Sequence, residues 1–185
     1  MKLSVILPAL NEAENLKLLL PQLRDVLSGL TADYEVIVVN GPSTDDTAGV
    51  AAALGAKVIQ QTRPGYGGAL LAGFAAAAGE YIVTMDADLS HDPHLIPRLW
   101  EALQQRQADV VVASRYIRGG ESHTEWFRKA LSVVLNQFLS RLLASCVRDL
   151  SSGYRLYRAE VVKGVSYERS DFAVLIEILV RAYAN

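Results

Sequence analysis

The sequence predicts an α/β fold in which a mostly parallel central sheet is covered by helices on both faces. Strand-like apolar runs alternate with segments of helical periodicity, the pattern of successive βαβ units. The first run, Leu3-Ser4-Val5-Ile6-Leu7, is of the buried-strand type rather than half-polar. A chain of 185 residues, 51% apolar and 21% charged, is long enough for one soluble domain with a substantial core.

Taken in order, the Leu3 run is stopped by Pro8, and Asn11-Glu12-Ala13-Glu14 opens a helix with Leu16, Leu19, Leu20, Leu23 and Leu27 on one face. A second strand, 34–39, ends in Asn40-Gly41-Pro42-Ser43-Thr44-Asp45-Asp46-Thr47, dense in turn and N-cap residues, before an Ala-rich helix. A short third strand covers 57–60. Arg63-Pro64-Gly65-Tyr66-Gly67-Gly68-Ala69 reads as a glycine-rich loop leading into a helix over 70–78, since glycine makes positive φ angles cheap. A fourth strand begins at Tyr81, a helix covers about 95–104, and Asp109 to Ala113 form a fifth strand. Trp126-Phe127-Arg128-Lys129 opens a long helix with apolar positions at Phe127, Leu131, Val134, Leu135, Phe138 and Leu142. It reads either as a core-packing helix or as one lying on a membrane surface with its cations near headgroups. A strand-like segment around Arg155 and Arg158 and an amphipathic helix over 172–183 end the chain.

The stretch that organises the rest is Tyr81-Ile82-Val83-Thr84-Met85-Asp86-Ala87-Asp88-Leu89-Ser90-His91-Asp92-Pro93. Successive side chains of an extended chain point to opposite faces, so Asp86 and Asp88 project on the same side where the strand leaves the sheet. Two hard oxygen ligands there suit Mg²⁺ or Mn²⁺, cations that share the rest of their shell with phosphates and water; a solvated acidic turn is the plainer alternative. In open α/β sheets ligands sit at the carboxyl ends of the strands. That rule assigns Pro8 to Glu12, Asn40 to Asp45, Asp86 to Ser90 and Ser114-Arg115-Tyr116 to one edge. A dinucleotide fingerprint in the glycine loop fails on spacing, because Leu70 stands where the third glycine belongs.

The formal net charge of -2 hides an asymmetry: residues 1–113 carry 7 Lys/Arg against 13 Asp/Glu, and residues 114–185 carry 11 against 7. An acidic, metal-ready half followed by a basic half suits a metal-diphosphate on one side and a second anion on the other. Nucleic acid is not expected as a partner, because no dense basic run interleaved with aromatics is present. No apolar run reaches the roughly 18 residues of a membrane span and no signal peptide precedes Leu3, which predicts a cytoplasmic location. The single cysteine, Cys146, excludes an internal disulfide and a multi-Cys zinc site.

Together, Pro8-Ala9-Leu10-Asn11-Glu12, the Ser43-Thr44-Asp45 turn, Arg63 with Gly65-x-Gly67-x-Ala69, Met85 to His91, Ser114-Arg115-Tyr116, Trp126-x-Arg128 and Asp149 to Arg158 resemble family 2 glycosyltransferases. Within that family the chain is most similar to the dolichyl/polyprenyl-phosphate mannosyltransferases, and the likeness runs nearly end to end. It implies a GT-A fold over residues 1–185, a nucleotide-sugar donor, Mg²⁺ or Mn²⁺, and a lipid-phosphate acceptor at the cytoplasmic face of a membrane. The resemblance further implies that Pro8, Leu10, Glu12, Val39, Asn40 and Gly41 contact the base and ribose, and that Asp86, Ala87 and Asp88 form the metal and sugar-nucleotide motif. Arg115 and Arg128 with Ser132 match the acceptor-phosphate side; Asp88, Arg115 and Arg128 are the expected catalytic group. Arg155 matches an arginine near the donor.

The chain departs from the family at Leu10, where tyrosine is usual, and at Asn40-Gly41, where two aspartates are usual. An acidic acceptor for a base N–H is thereby lost. GDP-mannose is the first expectation for the donor, with UDP-glucose or another nucleotide sugar left open. Relative to the family the sequence is expected to be short at its C-terminus, which implies either a missing basic C-terminal segment or a membrane-bound partner. Two alternatives remain beside the leading one: a hydroxyl acceptor, needing a general base near His91 and Asp92, and a nucleotide-binding remnant without activity.

Overall fold

The computed structural model describes residues 2–114 and 149–184. Six strands form one sheet in the order β3-β2-β1-β4-β6-β5: β1 (Leu3–Ala9), β2 (Tyr34–Asn40), β3 (Lys57–Gln60), β4 (Tyr81–Thr84), β5 (Val110–Val112) and β6 (Arg155–Arg158). β1 to β4 are parallel, and β6 inserts antiparallel between β4 and β5. The helices are α1 (Ala13–Leu30), α2 (Thr47–Ala53), α3 (Gly65–Ala76), α4 (Ile96–Arg106), α5 (Ala159–Val162) and α6 (Val174–Ala184), with a 3₁₀ turn at Pro93–Leu95 before α4.

Period-2 alternation sends successive strand residues into two apolar layers, which is why the strands read as continuous apolar runs. Leu3, Val5, Leu7, Val36, Val38 and Val83 pack with the leucine face of α1 and with Ile96, Leu99 and Leu103 of α4. Ile6, Ile37, Val39 and Ile82 face the other way, onto Leu70 and Phe74 of α3 and Val174, Leu175 and Ile178 of α6. Leu16, Leu19, Leu20, Leu23 and Leu27 are all 0–1% exposed. Each such leucine contributes on the order of 2 kcal/mol of apolar burial, enough to hold α1 despite Pro21 on its exposed face.

The strand registers set the site edge. Ala9 pairs with Asn40, and Asn40 with Gln60; on the other side Thr84 pairs with Arg155, which pairs with Val112. Because β6 runs antiparallel, its beginning rather than its end lies at the edge where the parallel strands finish. The segment 149–154 is therefore brought to the acidic pair.

One expectation is corrected. The glycine-rich stretch is not a loop before a helix over 70–78; α3 begins at Gly65 and ends at Ala76. The glycines serve close packing: a Cβ on Gly67 would lie 2.7 Å from the Ser170 carbonyl carbon, and the Gly68 N–H donates to the Ser170 carbonyl at 3.2 Å. The segment at Ser170 thereby closes against the first turn of α3. The helix expected from Trp126, with Arg128 and Ser132, lies outside the described residues, as do Arg115 and Cys146. No helix among the described residues is long and apolar enough to cross a membrane.

Candidate active site

The alternation of β4 continues past its last residue: Met85 and Ala87 are buried, Asp86 is partly exposed and Asp88 is exposed. Both carboxylates therefore leave the apolar layer at the carboxyl edge, as the i, i+2 spacing predicts. Asp88 Oδ1 accepts the Ser90 N–H at 3.0 Å, an Asx turn. The residue between them, Leu89, takes φ +64°, a left-handed conformation that side chains other than glycine and asparagine rarely adopt.

Asp86 is held on three sides. Its N–H donates to His91 Nδ1 at 2.9 Å, and Tyr66 Oη donates to its Oδ1 at 3.0 Å. With Nδ1 accepting, the neutral His91 ring carries its proton on Nε2, which stands 3.7 Å from Asp86 Oδ2. His91 in turn stacks on Tyr154, with ring centroids 4.9 Å apart, and Tyr154 Oη donates to the Asp92 carbonyl at 2.8 Å. Burial first, then the Asp86 charge and hydrogen bond, push the Tyr66 phenol far above its ordinary range. Burial and then the Asp92 charge do the same to Tyr154. Both phenols are thus donors at neutral pH.

The neighbouring strand ends are tied to each other. Asn11, at φ +59°, accepts the Thr44 N–H through Oδ1 at 2.7 Å, and its own N–H donates to Ser43 Oγ at 3.0 Å. Asp45 accepts the N–H of Ala13 at 3.1 Å and of Thr47 at 3.0 Å, while the Glu12 N–H donates to Thr47 Oγ1 at 2.9 Å. One turn therefore satisfies the first N–H groups of α1 and of α2, which their own N-cap side chains leave unbonded. The Thr47 hydroxyl, followed by the N–H groups of Ala13 and Thr47, holds the Asp45 carboxyl below the usual range. A folded-state value below the unfolded one means stability present above about pH 4 and lost as pH falls through the folded value. We expect amide exchange at Glu12 and Ala13 to accelerate below pH 4 before global unfolding, and Asp45→Asn to abolish that early phase; identical exchange profiles in the two proteins would disprove the coupling.

The residues expected to contact the base and ribose share this edge. Pro8 and Glu12 are partly exposed, Leu10 is 53% exposed, and Val39, Asn40 and Gly41 are buried. Asn40 is spent within the protein: its Nδ2 donates to Gln60 Oε1 at 3.1 Å, and its Oδ1 accepts Ser43 Oγ at 2.8 Å. The space above Gly41 is bounded by Gln61 Oε1 and Leu10 Cδ1, at 3.2 and 3.4 Å from where a Cβ would lie. Gln61 Nε2 donates to the carbonyls of Arg63 and Gly65, each at 2.6 Å, which turns its oxygen toward Gly41. Sequence reading missed Gln61, Tyr66 and the backbone role of His91.

Arg155 reaches this region differently from its sequence expectation. It is 0% exposed, and its guanidinium donates to three carbonyls, of Ser152, Leu175 and Leu150, each at 2.7 Å. It ties α6 to the segment entering β6. Asp92 is also committed: its carboxylate accepts the His94 N–H at 2.9 Å and contacts His94 Nδ1 at 2.8 Å. Burial works against its ionisation, but the His94 bonds win and hold the carboxyl low.

No three His, Cys, Asp or Glu side chains gather into one cluster among the described residues. A cation at Asp86 and Asp88 would complete its shell from phosphate and water, the usual state of bound Mg²⁺. The donor set, two carboxylates at an open edge, fits such an ion.

The profile of Glycosyl transferase family 2 matches residues 4–165. The dolichol-phosphate mannosyltransferase of Pyrococcus furiosus is 38% identical over 98% of this chain and 53% of its own length. The undecaprenyl-phosphate 4-deoxy-4-formamido-L-arabinose transferase of Serratia proteamaculans is 32% identical over 100% of this chain and 57% of its own. The chain thus spans little more than half the length of these relatives. Glucosyl-3-phosphoglycerate synthase of Mycobacterium tuberculosis, solved with Mn²⁺, uridine-diphosphate and glucosyl-3-phosphoglycerate, aligns with a TM-score of 0.75 at 27% identity, covering 99% of this chain and 65% of that one.

Proposed function

The chain belongs to glycosyl transferase family 2, with a GT-A-like fold, and from that premise we propose that it transfers a hexosyl unit from a nucleotide sugar to a polyprenyl phosphate, inverting the anomeric carbon. The observation that carries this reading is the pair Asp86 and Asp88 on the same sheet edge as Pro8 to Glu12 and Asn40 to Thr47. The two relatives named above, acting on dolichol phosphate and undecaprenyl phosphate by their names, support the acceptor class. GDP-mannose is the proposed donor.

In this mechanism Asp86 and Asp88 would hold Mg²⁺ or Mn²⁺, which when bound would supply charge neutralisation at the diphosphate. Pro8, Leu10, Glu12, Val39, Asn40 and Gly41 form the wall for base and ribose, and Ala87, between the two acids, belongs to the sugar-nucleotide motif. Arg115, Arg128 and Ser132 take the acceptor phosphate and offset repulsion between two anionic substrates. A phosphate oxygen forms the new bond to the anomeric carbon as the bond to the diphosphate breaks. Such an acceptor is already ionised, so alignment matters more than proton removal. A hydroxyl acceptor would instead need a base, and Asp92 and His91 Nδ1 are already engaged with His94 and the Asp86 backbone. The protein works peripherally at the cytoplasmic face of a membrane.

The test is a panel of GDP-, UDP- and dTDP-sugars with Mn²⁺, each offered polyprenyl phosphate or free sugar. Transfer to the lipid phosphate with inverted product is expected; transfer to sugar hydroxyls alone would refute the acceptor assignment. Arg128→Ala should raise the acceptor KM about 10-fold or more, as expected when a charge-assisted phosphate contact of roughly 1.5–3 kcal/mol is lost, with donor binding within about twofold. The reverse order would move Arg128 to the donor side.

A further inference from the structure

Tyr66 has no part in the proposed mechanism, yet its hydroxyl donates to Asp86 Oδ1 at 3.0 Å. The surroundings are built around that contact. Gly153 is buried, and a Cβ there would collide with the Tyr66 hydroxyl and come within 3.3 Å of Asp86 Oδ1. The Gly153 carbonyl accepts the Thr84 hydroxyl at 2.7 Å, fixing this bare backbone beside the end of β4. On its far face the Tyr66 ring stacks on Phe172, with centroids 4.3 Å apart and an interplanar angle of 9°. Phe172 is itself 64% exposed, so it is kept at the surface with one face against Tyr66. The close approach of Ser170 to Gly67 and Gly68 carries Phe172 there.

Taking Asp86 as a cation-holding carboxylate, which rests on the function proposed above, we propose that Tyr66 is a positioning residue: its hydroxyl fixes the Asp86 carboxylate for the divalent ion, and Phe172 fixes Tyr66. A carboxylate ligand free to rotate must lose that freedom when the ion binds. A hydrogen bond to one oxygen removes the cost in advance and aims the remaining lone pairs, as partners of metal ligands generally do. Two segments distant in sequence, 64–68 and 170–173, thus converge on one carboxylate.

The experiment titrates Mn²⁺ into the protein with saturating GDP or UDP and reads free Mn²⁺ by electron paramagnetic resonance. Wild type is compared with Tyr66→Phe, which keeps the ring stack and deletes only the hydroxyl. Tyr66→Phe should weaken Mn²⁺ binding about 10-fold and broaden the bound-ion spectrum. In turnover it should raise the Mn²⁺ needed for half-maximal rate by the same factor, with kcat at saturating Mn²⁺ within about twofold. Wild-type binding with an unchanged Tyr66→Phe titration overturns the role of Tyr66 and leaves the proposed function standing. No Mn²⁺-dependent binding in wild type overturns both. If Tyr66→Phe fails to fold, Phe172→Leu, an exposed change, should weaken Mn²⁺ about threefold through the lost ring pair; no change there refutes the arrangement.

Discussion

Asp88→Ala is expected to reduce Mn²⁺-dependent binding of a nucleoside diphosphate by about 100-fold or more, beyond the loss typical of removing a group that merely supports a ligand. The carboxylate is exposed, and the contact it makes is local, the Ser90 N–H at 3.0 Å. Its loss should therefore cost the fold no more than about 1 kcal/mol. Asp88→Asn separates charge from turn geometry, since the amide oxygen still accepts from Ser90. It should lose nearly as much metal affinity as alanine does and retain wild-type stability. Calorimetry in the presence and absence of Mn²⁺ measures both. Unchanged affinity in either variant would remove the cation from this corner and, with it, the proposed mechanism.

The second large effect is on stability. Arg155→Ala removes the charge-assisted hydrogen bonds that the carbonyls of Leu150, Ser152 and Leu175 now receive at 2.7 Å. Hydrogen bonds to a charged group contribute roughly 1.5–3 kcal/mol each before relaxation, so a loss of about 4 kcal/mol in denaturant unfolding is expected. Arg155→Lys should recover only part of it, because a single ammonium cannot reproduce the planar fork. The alternative, a direct contact with the donor, predicts the opposite pattern: weakened nucleotide binding with stability intact. The two measurements on one variant decide between a clamp and a ligand.

These cases mark where sequence reading succeeds. The five-leucine face of α1, the apolar strands and the acid pair are legible because each depends on periodicity within one element, 3.6 residues for the helix and 2 for the strand. The bounds of α3 were not legible. Gly65, Gly67 and Gly68 have the composition of a loop, and only the approach of Ser170, about a hundred residues later, explains why Gly65 and Gly67 must be small at the start of a helix. The amides at Asn40 and Gln61 show the same limit. The absence of an acidic pair is visible in the sequence, but the rotation of the Gln61 oxygen toward Gly41 depends on the carbonyls of Arg63 and Gly65.

The order of strands and helices, the carboxyl edge and the two acids at its centre are consequences of the sequence alone, since backbone alternation and burial leave them little choice. The antiparallel insertion of β6, the burial of Arg155 and the grip of Tyr66 on Asp86 arise only in three dimensions. Long polar side chains can satisfy their donors on any segment that folding brings within reach. Which segment arrives there depends on packing between distant parts of the chain, a relation that no local pattern of residues encodes.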